Sequence, residues 1–263
     1  MSSTATTRRV RSADGTEIAF ESRGDGPTLI LVDPALQYRG FSRLSGLVEP
    51  LSAEFAVHTY DRRGRGESGD ARPYSPEREV EDLAALIEAA GGEARLYGFS
   101  SGALLAIHAA AAGLPIERIA LLEPPIQEDA DPAHPNQLTT ELAELIEAGR
   151  NGDAVEHFNR SIGVPEEMVA GMREGPDWPK LEAVAPTLVY DCMLSDATTQ
   201  EVVRSAGVPA LVLDSSGSSD DLSGWAASVA ARLPDAEHRS LAGEWHTVAD
   251  EVLAPVLVEF LRD

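Results

Sequence analysis

The chain has 263 residues, and 44 acidic against 21 basic side chains give it a net charge of −23. Such a field repels nucleic-acid phosphates and anionic membrane surfaces before local contacts form, so neither is an expected partner; a small-molecule substrate and a monomer or homodimer are expected. The length suits one large α/β domain with an insertion better than two independent domains. Cys192 is the single cysteine, which permits no intrachain disulfide and suits a reducing compartment. The opening MSSTATTRRVRS has basic residues but no apolar segment behind them, unlike a signal peptide. No run approaches the roughly 18–20 apolar residues that span a bilayer, and a cytoplasmic location is expected.

Two alternating runs, RRVRS and TEIAFES, flank Asp14-Gly15 and predict an antiparallel hairpin. The nearly continuous apolar runs TLILVDP, FAVHTYD, ARLYGFS, IERIALLEP and PALVLDS predict strands covered on both faces. Helical patterns alternate with them. PEREVEDLAALIEAAGG starts on proline and acids, stops on glycines, and carries Val80, Leu83, Leu86 and Ile87 on one stripe. GALLAIHAAAAG and GWAASVAARLPDAEH are two more, and TVADEVLAPVLVEFL closes the chain with Val248, Val252, Val256 and Phe260 at intervals of four and a bend expected at Pro255. This order predicts an α/β fold with a mostly parallel central sheet flanked by helices.

Residues 127–198 break that rhythm. QLTTELAELIEAG, DAVEHFNRSIG, PEEMVAGMREG and PKLEAVAPTLVYDCML read as short helices separated by Gly or Pro. The segment is too long for a simple connection, so it predicts a helical cap, 127–198, inserted between core segments 1–126 and 199–263. Its Met168, Met172, Trp178, Tyr190 and Met193 are candidates to line a substrate pocket, the alternative being that they join cap to core.

The chemistry-bearing stretch is YGFSSG. A strand enters a helix through Gly98-Phe99-Ser100-Ser101-Gly102, the glycines allowing close backbone approach while Ser100 occupies a strained bend that exposes its hydroxyl. The small residues Ala103, Ala106 and Ala109 to Ala112 follow. The new helix directs N–H groups toward any negative charge developing there. A serine hydroxyl needs a base, and His246, in a loop beyond the last strand, is the candidate.

Together LILVDP, YDRRGRGES, GFSSG, LLEPP, VLDSSGSSD and GEWHTVADEVL resemble the α/β-hydrolase fold family, over nearly the whole chain. The resemblance implies that fold with a helical cap insertion, a Ser100 nucleophile, and a histidine at the place of His246. RGRGES resembles the family's tight loop after the fourth strand, where Gly64 and Gly66 serve backbone geometry and Arg63 braces; a carboxylate-holding role for Arg63 is the alternative. His238 falls at the start of the last strand and His108 two turns down the nucleophile helix. His58 lies in a strand run, His134 and His157 in the insertion; none has metal-ligand spacing.

Three acids compete to orient His246. Glu123 ends IERIALL before Pro124-Pro125, the position some relatives such as haloalkane dehalogenases use. The family's more usual position, after PALVLD, is occupied by Ser218, with Asp220 two residues on and Asp214 earlier. Glu123 is favoured, with Asp220 as the alternative acid and Asp214 behind it; Asp221 reads as a helix-start acid. Where the family commonly has His-Gly after the third strand, this chain has Asp33-Pro34-Ala35. Pro34 offers no N–H, so the expected oxyanion donors are the amides of Ala35 and Ser101. Gln37 and Tyr38 are candidate substrate contacts.

The resemblance therefore implies a serine esterase or lactonase working through an acyl-enzyme, with neither metal nor organic cofactor. Thioesterase and carbon–carbon hydrolase chemistry are alternatives, as is a non-hydrolytic ligand-binding, lyase or cyclase member of the fold. Nucleotide binding is disfavoured, because GRGESG has neither the lysine of a phosphate loop nor a full G-x-G-x-x-G run.

Overall fold

A computed structural model describes residues 6–127 and 130–262; the first five residues of the N-terminal stretch, two at the front of the predicted insertion, and the last residue lie outside the described residues. Eight strands form one sheet: β1 Arg8–Arg11, β2 Glu17–Arg23, β3 Thr28–Val32, β4 Ala56–Tyr60, β5 Ala94–Phe99, β6 Ile116–Leu122, β7 Ala210–Ser215 and β8 Ala236–Leu241. Their order is β1-β2-β4-β3-β5-β6-β7-β8. The β1–β2 and β2–β4 pairs are antiparallel, and β4, β3, β5, β6, β7 and β8 run parallel. The hairpin predicted at Asp14-Gly15 forms, with Gly15 at φ 90° and the Asp14 carboxylate accepting from the Thr16 amide at 2.9 Å.

The continuous apolar runs are buried because helices cover both faces. The core helices are α1 Ser45–Leu51, α2 Pro76–Ala90, α3 Ser101–Ala111, α10 Asp220–Arg232 and α11 Asp250–Arg262. Alternate strand residues go to opposite sides. Ile30, Leu96, Leu121 and Val212 pack with Leu83, Ile107 and Val229 of α2, α3 and α10, while Leu31, Tyr97, Leu122 and Leu213 pack with Leu47 and Leu257 of α1 and α11. In the closing helix the fully buried face runs through Leu253, Leu257 and Leu261, with Val252 and Val256 beside it and only partly buried. Helix α11 continues through Pro255. Helix α10 starts four residues before GWAAS, where the Ser219 hydroxyl accepts from the Leu222 amide and Asp220 and Asp221 occupy the first turn.

Between β6 and β7 lie α4 Gln137–Glu147, α5 Asn151–Ser161, α6 Glu166–Glu174, α7 Trp178–Val184, α8 Leu188–Ala197 and α9 Gln200–Ser205. Leu142, Val155, Trp178, Val184 and Leu188 make a separate apolar cluster that also holds Leu36 of the loop after β3. Leu194 of α8 and Val203 of α9 instead join the α2–α3 side of the main core, so the end of the 127–198 segment and the helix after it are built into that layer. Among the described residues no helix is long and apolar enough to cross a membrane.

Glycines set the approach of β3, β5 and α3. A Cβ on Gly98 would stand 2.4 Å from Gly102 O, and one on Gly102 would stand 2.1 Å from Val32 O, a backbone atom that cannot swing aside. Gly102→Ala is expected to destabilise by at least about 2 kcal/mol in urea unfolding. Gly171→Ala, with nothing within 4 Å of the new methyl on α6, should be neutral or stabilising by up to about 1 kcal/mol. Equal midpoints for the two variants would refute the close-approach argument.

Candidate active site

Ser100 directly follows β5. Its amide extends the ladder to Leu122 O at 2.8 Å, and its backbone lies at φ 54°, ψ −122° before α3 begins. That conformation is costly for an L-residue and lifts the side chain at the strand–helix bend. Among the described residues four non-glycines have positive φ: Leu36 at 62°, Ser100 at 54°, Glu123 at 47° and His246 at 51°. All four sit in loops just beyond β3, β5, β6 and β8, so local backbone strain is concentrated at one edge of the sheet.

His246 is presented by a tight turn after β8 in which the Glu244 amide donates to Thr247 O at 2.9 Å and the Thr247 amide to Glu244 O at 3.2 Å. Its ring packs on Phe99, the residue before Ser100, with centroids 4.7 Å apart. His246 Nδ1 is hydrogen-bonded to Glu123 Oε2, leaving Nε2 for a reacting group. Among the described residues neither Nε2 nor the Ser100 hydroxyl has a hydrogen-bond partner; such bonds often tighten only when substrate is bound.

Glu123 is 0% exposed. Its Oε1 accepts from the Ser215 amide at 2.8 Å and from the Ser218 hydroxyl at 2.6 Å. Burial pushes this carboxyl up, but the bonds from His246, Ser218 and Ser215 outweigh that and hold it below the ordinary value. It is therefore ionised at neutral pH. Ser218, at the position where the family usually has the acid, also accepts from the His246 amide at 2.9 Å and so ties carboxylate and histidine loop together.

The other two acids are elsewhere. Asp220 is exposed in the first turn of α10, where a carboxylate suits the positive end of the helix, and it makes no bond to His246. Asp214 is buried against β8, accepting from His238 Nε2 at 2.6 Å and the Ser240 hydroxyl at 2.7 Å. These positions correct the Asp220 and Asp214 alternatives. His108 Nε2 pairs with Thr198 Oγ1 at 3.0 Å, and His134 and His157 with Asp131 and Glu141, all away from the bend. Among the described residues no cluster of three or more His, Cys, Asp or Glu is placed to hold a metal ion.

The loop after β3 brings Ala35 to this edge. Among the described residues nothing accepts the Ala35 N–H, and the Ser101 N–H is a first-turn donor with no partner in its own helix. Asp33 is buried, accepts from the Ser42 hydroxyl, and is pushed up by burial to about 6 despite Ser42, Arg65 and Arg62. A carboxyl raised in this way stabilises the fold fully below its ordinary 3.8 and loses that contribution as pH rises through about 6. Asp33→Asn is therefore expected to raise stability at pH 7 by up to about 3 kcal/mol and to match the parent at pH 3.5 in denaturant titrations; a loss at pH 7 would contradict this.

Beneath the loop lie three fully buried arginines that the sequence reading largely missed. Arg63 forks onto Asp82 at 2.7 and 2.8 Å and reaches Asp14, bracing the loop away from the bend. Arg62 pairs with Glu79 and with Asp191 of α8, and Arg65 with Asp191. The signal was present: Glu79 and Asp82 fall on the same helical stripe as Leu83 and Leu86, where unpaired acids are out of place.

The predicted pocket residues are dispersed. Met168 is 48% exposed on α6. Trp178 is buried in the insertion's own cluster, and Tyr190 stacks on Tyr74 at 4.0 Å while donating to Asp70, which fastens α8 to the core. Met193 is half-buried on α8. Gln37 is occupied in accepting from the Arg43 amide at 2.7 Å, and Tyr38 packs with Phe41 against the insertion. The cavity that does touch His246, 320 Å³ in volume, is walled by Leu47, Phe99, Leu122 and Leu253, with Arg43 and Asp250 supplying charge. None of the pocket residues predicted from the insertion lines it.

A mostly parallel sheet with a serine bend after β5 and a histidine after β8 is the arrangement of an α/β-hydrolase. A profile of the alpha/beta hydrolase family matches residues 31–256, and the chain belongs to that family. It is similar to an alpha/beta hydrolase from Sphaerobacter thermophilus, with 46% identity over 97% of this chain and 100% of that one and a TM-score of 0.87. An enol-lactonase from Burkholderia xenovorans shares the fold at 21% identity, 97% and 100% coverage and TM-score 0.73. A thermophilic esterase from Thermogutta terrifontis does so at 19% identity, 98% coverage of each chain and TM-score 0.70. A comparison with curated proteins returns no match.

Proposed function

We propose that the chain is a serine hydrolase that cleaves a carboxylic ester or lactone of a small organic molecule through an acyl-enzyme. The observation that carries this reading is the Glu123–His246 pair, with the imidazole packed on Phe99, the residue that precedes Ser100. His246 Nε2 takes the Ser100 proton as Oγ bonds to the carbonyl carbon, and the carbonyl electron pair moves onto oxygen, where the Ala35 and Ser101 amides receive it. Collapse breaks the carbon–oxygen bond to the leaving alcohol, which takes the proton from His246. In a lactone that alcohol stays tethered. Water, deprotonated by the same nitrogen, then releases the acid and restores Ser100. Neighbours described as an esterase and an enol-lactonase support this substrate class.

Stopped-flow release of p-nitrophenol from a short-chain p-nitrophenyl ester tests the proposal. Covalent turnover predicts a burst of up to one equivalent per active site whenever deacylation is the slower step, and added hydroxylamine diverts the acyl group to a hydroxamate. Turnover whose products never include the hydroxamate counts against an acyl-enzyme.

A further inference from the structure

Two of the buried arginines hold the loop that carries the Ala35 amide, and Arg65 touches that amide's own peptide. Arg65 Nη1 donates to Pro34 O at 2.6 Å and to Gln37 O at 3.2 Å, while Nη2 donates to Asp191 Oδ2 at 2.7 Å. Arg62 Nη1 reaches Asp33 O and the Ser101 hydroxyl, each at 3.2 Å, and Asp191 Oδ1 at 2.8 Å. Three carbonyls of the loop after β3 are thus pulled toward two guanidinium groups, and both groups are held by a single carboxylate from insertion helix α8. Arg62, Arg65 and Asp191 are each no more than 3% exposed.

Pro34 C=O and Ala35 N–H belong to one trans peptide, in which carbonyl and amide point in opposite directions. Drawing Pro34 O onto Arg65 therefore turns the Ala35 N–H away from the arginine, and that N–H has no acceptor among the described residues. A charged donor on the carbonyl also polarises the peptide and strengthens its N–H as a donor. Leu36, at φ 62°, lies between the two carbonyls that Arg65 holds, so the strained turn is pinned on both sides.

We propose that Arg65 is a positioning residue that aims and polarises the Ala35 amide for the oxyanion, and that Asp191 makes helix α8 part of that device by holding Arg65 in place. The proposal rests on the acyl-enzyme reading above. Burial pushes the Asp191 carboxyl up, but the two guanidinium groups outweigh it and hold it below the ordinary value, so the clamp is charged at neutral pH.

Arg65→Lys provides the test, because one ammonium cannot span Pro34 O and Asp191 as the planar fork does. Misaiming an oxyanion donor should lower kcat about 10- to 100-fold with KM changed less than about twofold. Affinity for a trifluoromethyl ketone, whose hemiketal oxygen occupies the oxyanion position, should fall by the same factor as kcat, while affinity for the matching methyl ketone stays. Arg63→Lys breaks an equally buried fork, to Asp82, that leads away from Ser100; it should lower Tm yet leave kcat per folded enzyme unchanged. Should Arg65→Lys not fold, Asp191→Asn makes the same comparison, since it frees the arginine from the other end. Unchanged kcat and ketone affinity in the variant that folds would overturn the proposal even if Ser100→Ala abolishes turnover. Retention of turnover by Ser100→Ala would instead remove the reading on which it rests.

Discussion

Ser100→Ala is expected to lower kcat for an activated ester by roughly 10⁴- to 10⁶-fold and to eliminate the burst, with circular dichroism unchanged. The hydroxyl is placed by backbone rather than by side-chain contacts: the amide is tied to Leu122 O and the φ of 54° is imposed by the strand–helix bend. Alanine keeps that backbone and removes only Oγ. The amides of Ala35 and Ser101 remain, so the residual rate should still exceed that in water. A loss of less than tenfold would mean that the hydroxyl is not the attacking group.

Glu123→Gln is expected to lower kcat by about 10³- to 10⁴-fold, although glutamine has the same shape and the position is buried. The reason lies in its neighbours. The Ser215 amide and the Ser218 hydroxyl both donate to Oε1, so in the variant the amide oxygen must stay on their side. The NH₂ group then faces His246 Nδ1 and donates to it. The imidazole proton is forced onto Nε2, the nitrogen that has to accept from Ser100. Ser218→Ala removes one support for the carboxylate and should cost no more than about tenfold. Asp220→Asn, exposed at the start of α10, should be within twofold of the parent. Steady-state kinetics on the three variants checks the ranking, and a larger loss for Asp220→Asn than for Glu123→Gln would reverse the assignment of the acid.

The architecture was legible because both faces of the sheet are covered. TLILV, ARLYGF and ALVLDS are short, nearly continuous apolar runs between turn signals, the pattern of central strands, and the glycine–serine–glycine spacing from Gly98 to Gly102 marks the bend. Glu123 was open to inference because Ser218 stands where an acid is usual, which left the end of β6 as the competing position. The structure adds what Ser218 does instead: its hydroxyl bridges Glu123 and the His246 amide, a contact between segments 28 and 95 residues apart.

Less legible were features set by tertiary pairing. RGRGES is readable as a tight loop braced by Arg63, but nothing in it shows that Arg62, Arg63 and Arg65 are all fully buried, which they are because α2 and α8 supply Glu79, Asp82 and Asp191. No periodicity announces that α8 reaches beneath the loop after β3. The pocket residues misled for a related reason: apolar side chains in short helices serve either a cavity or a local core, and Trp178 and Tyr190 serve packing. Helix α1, with Pro50 inside it, carried too short a pattern to be read.

The proposed hydrolysis requires covalent chemistry at one atom, Ser100 Oγ. Quenching turnover of a p-nitrophenyl ester in acid and weighing the intact protein should show one added acyl group, and peptide mapping should place it on Ser100. Steady turnover with no added mass at any quench time, or an adduct on another residue, would contradict it.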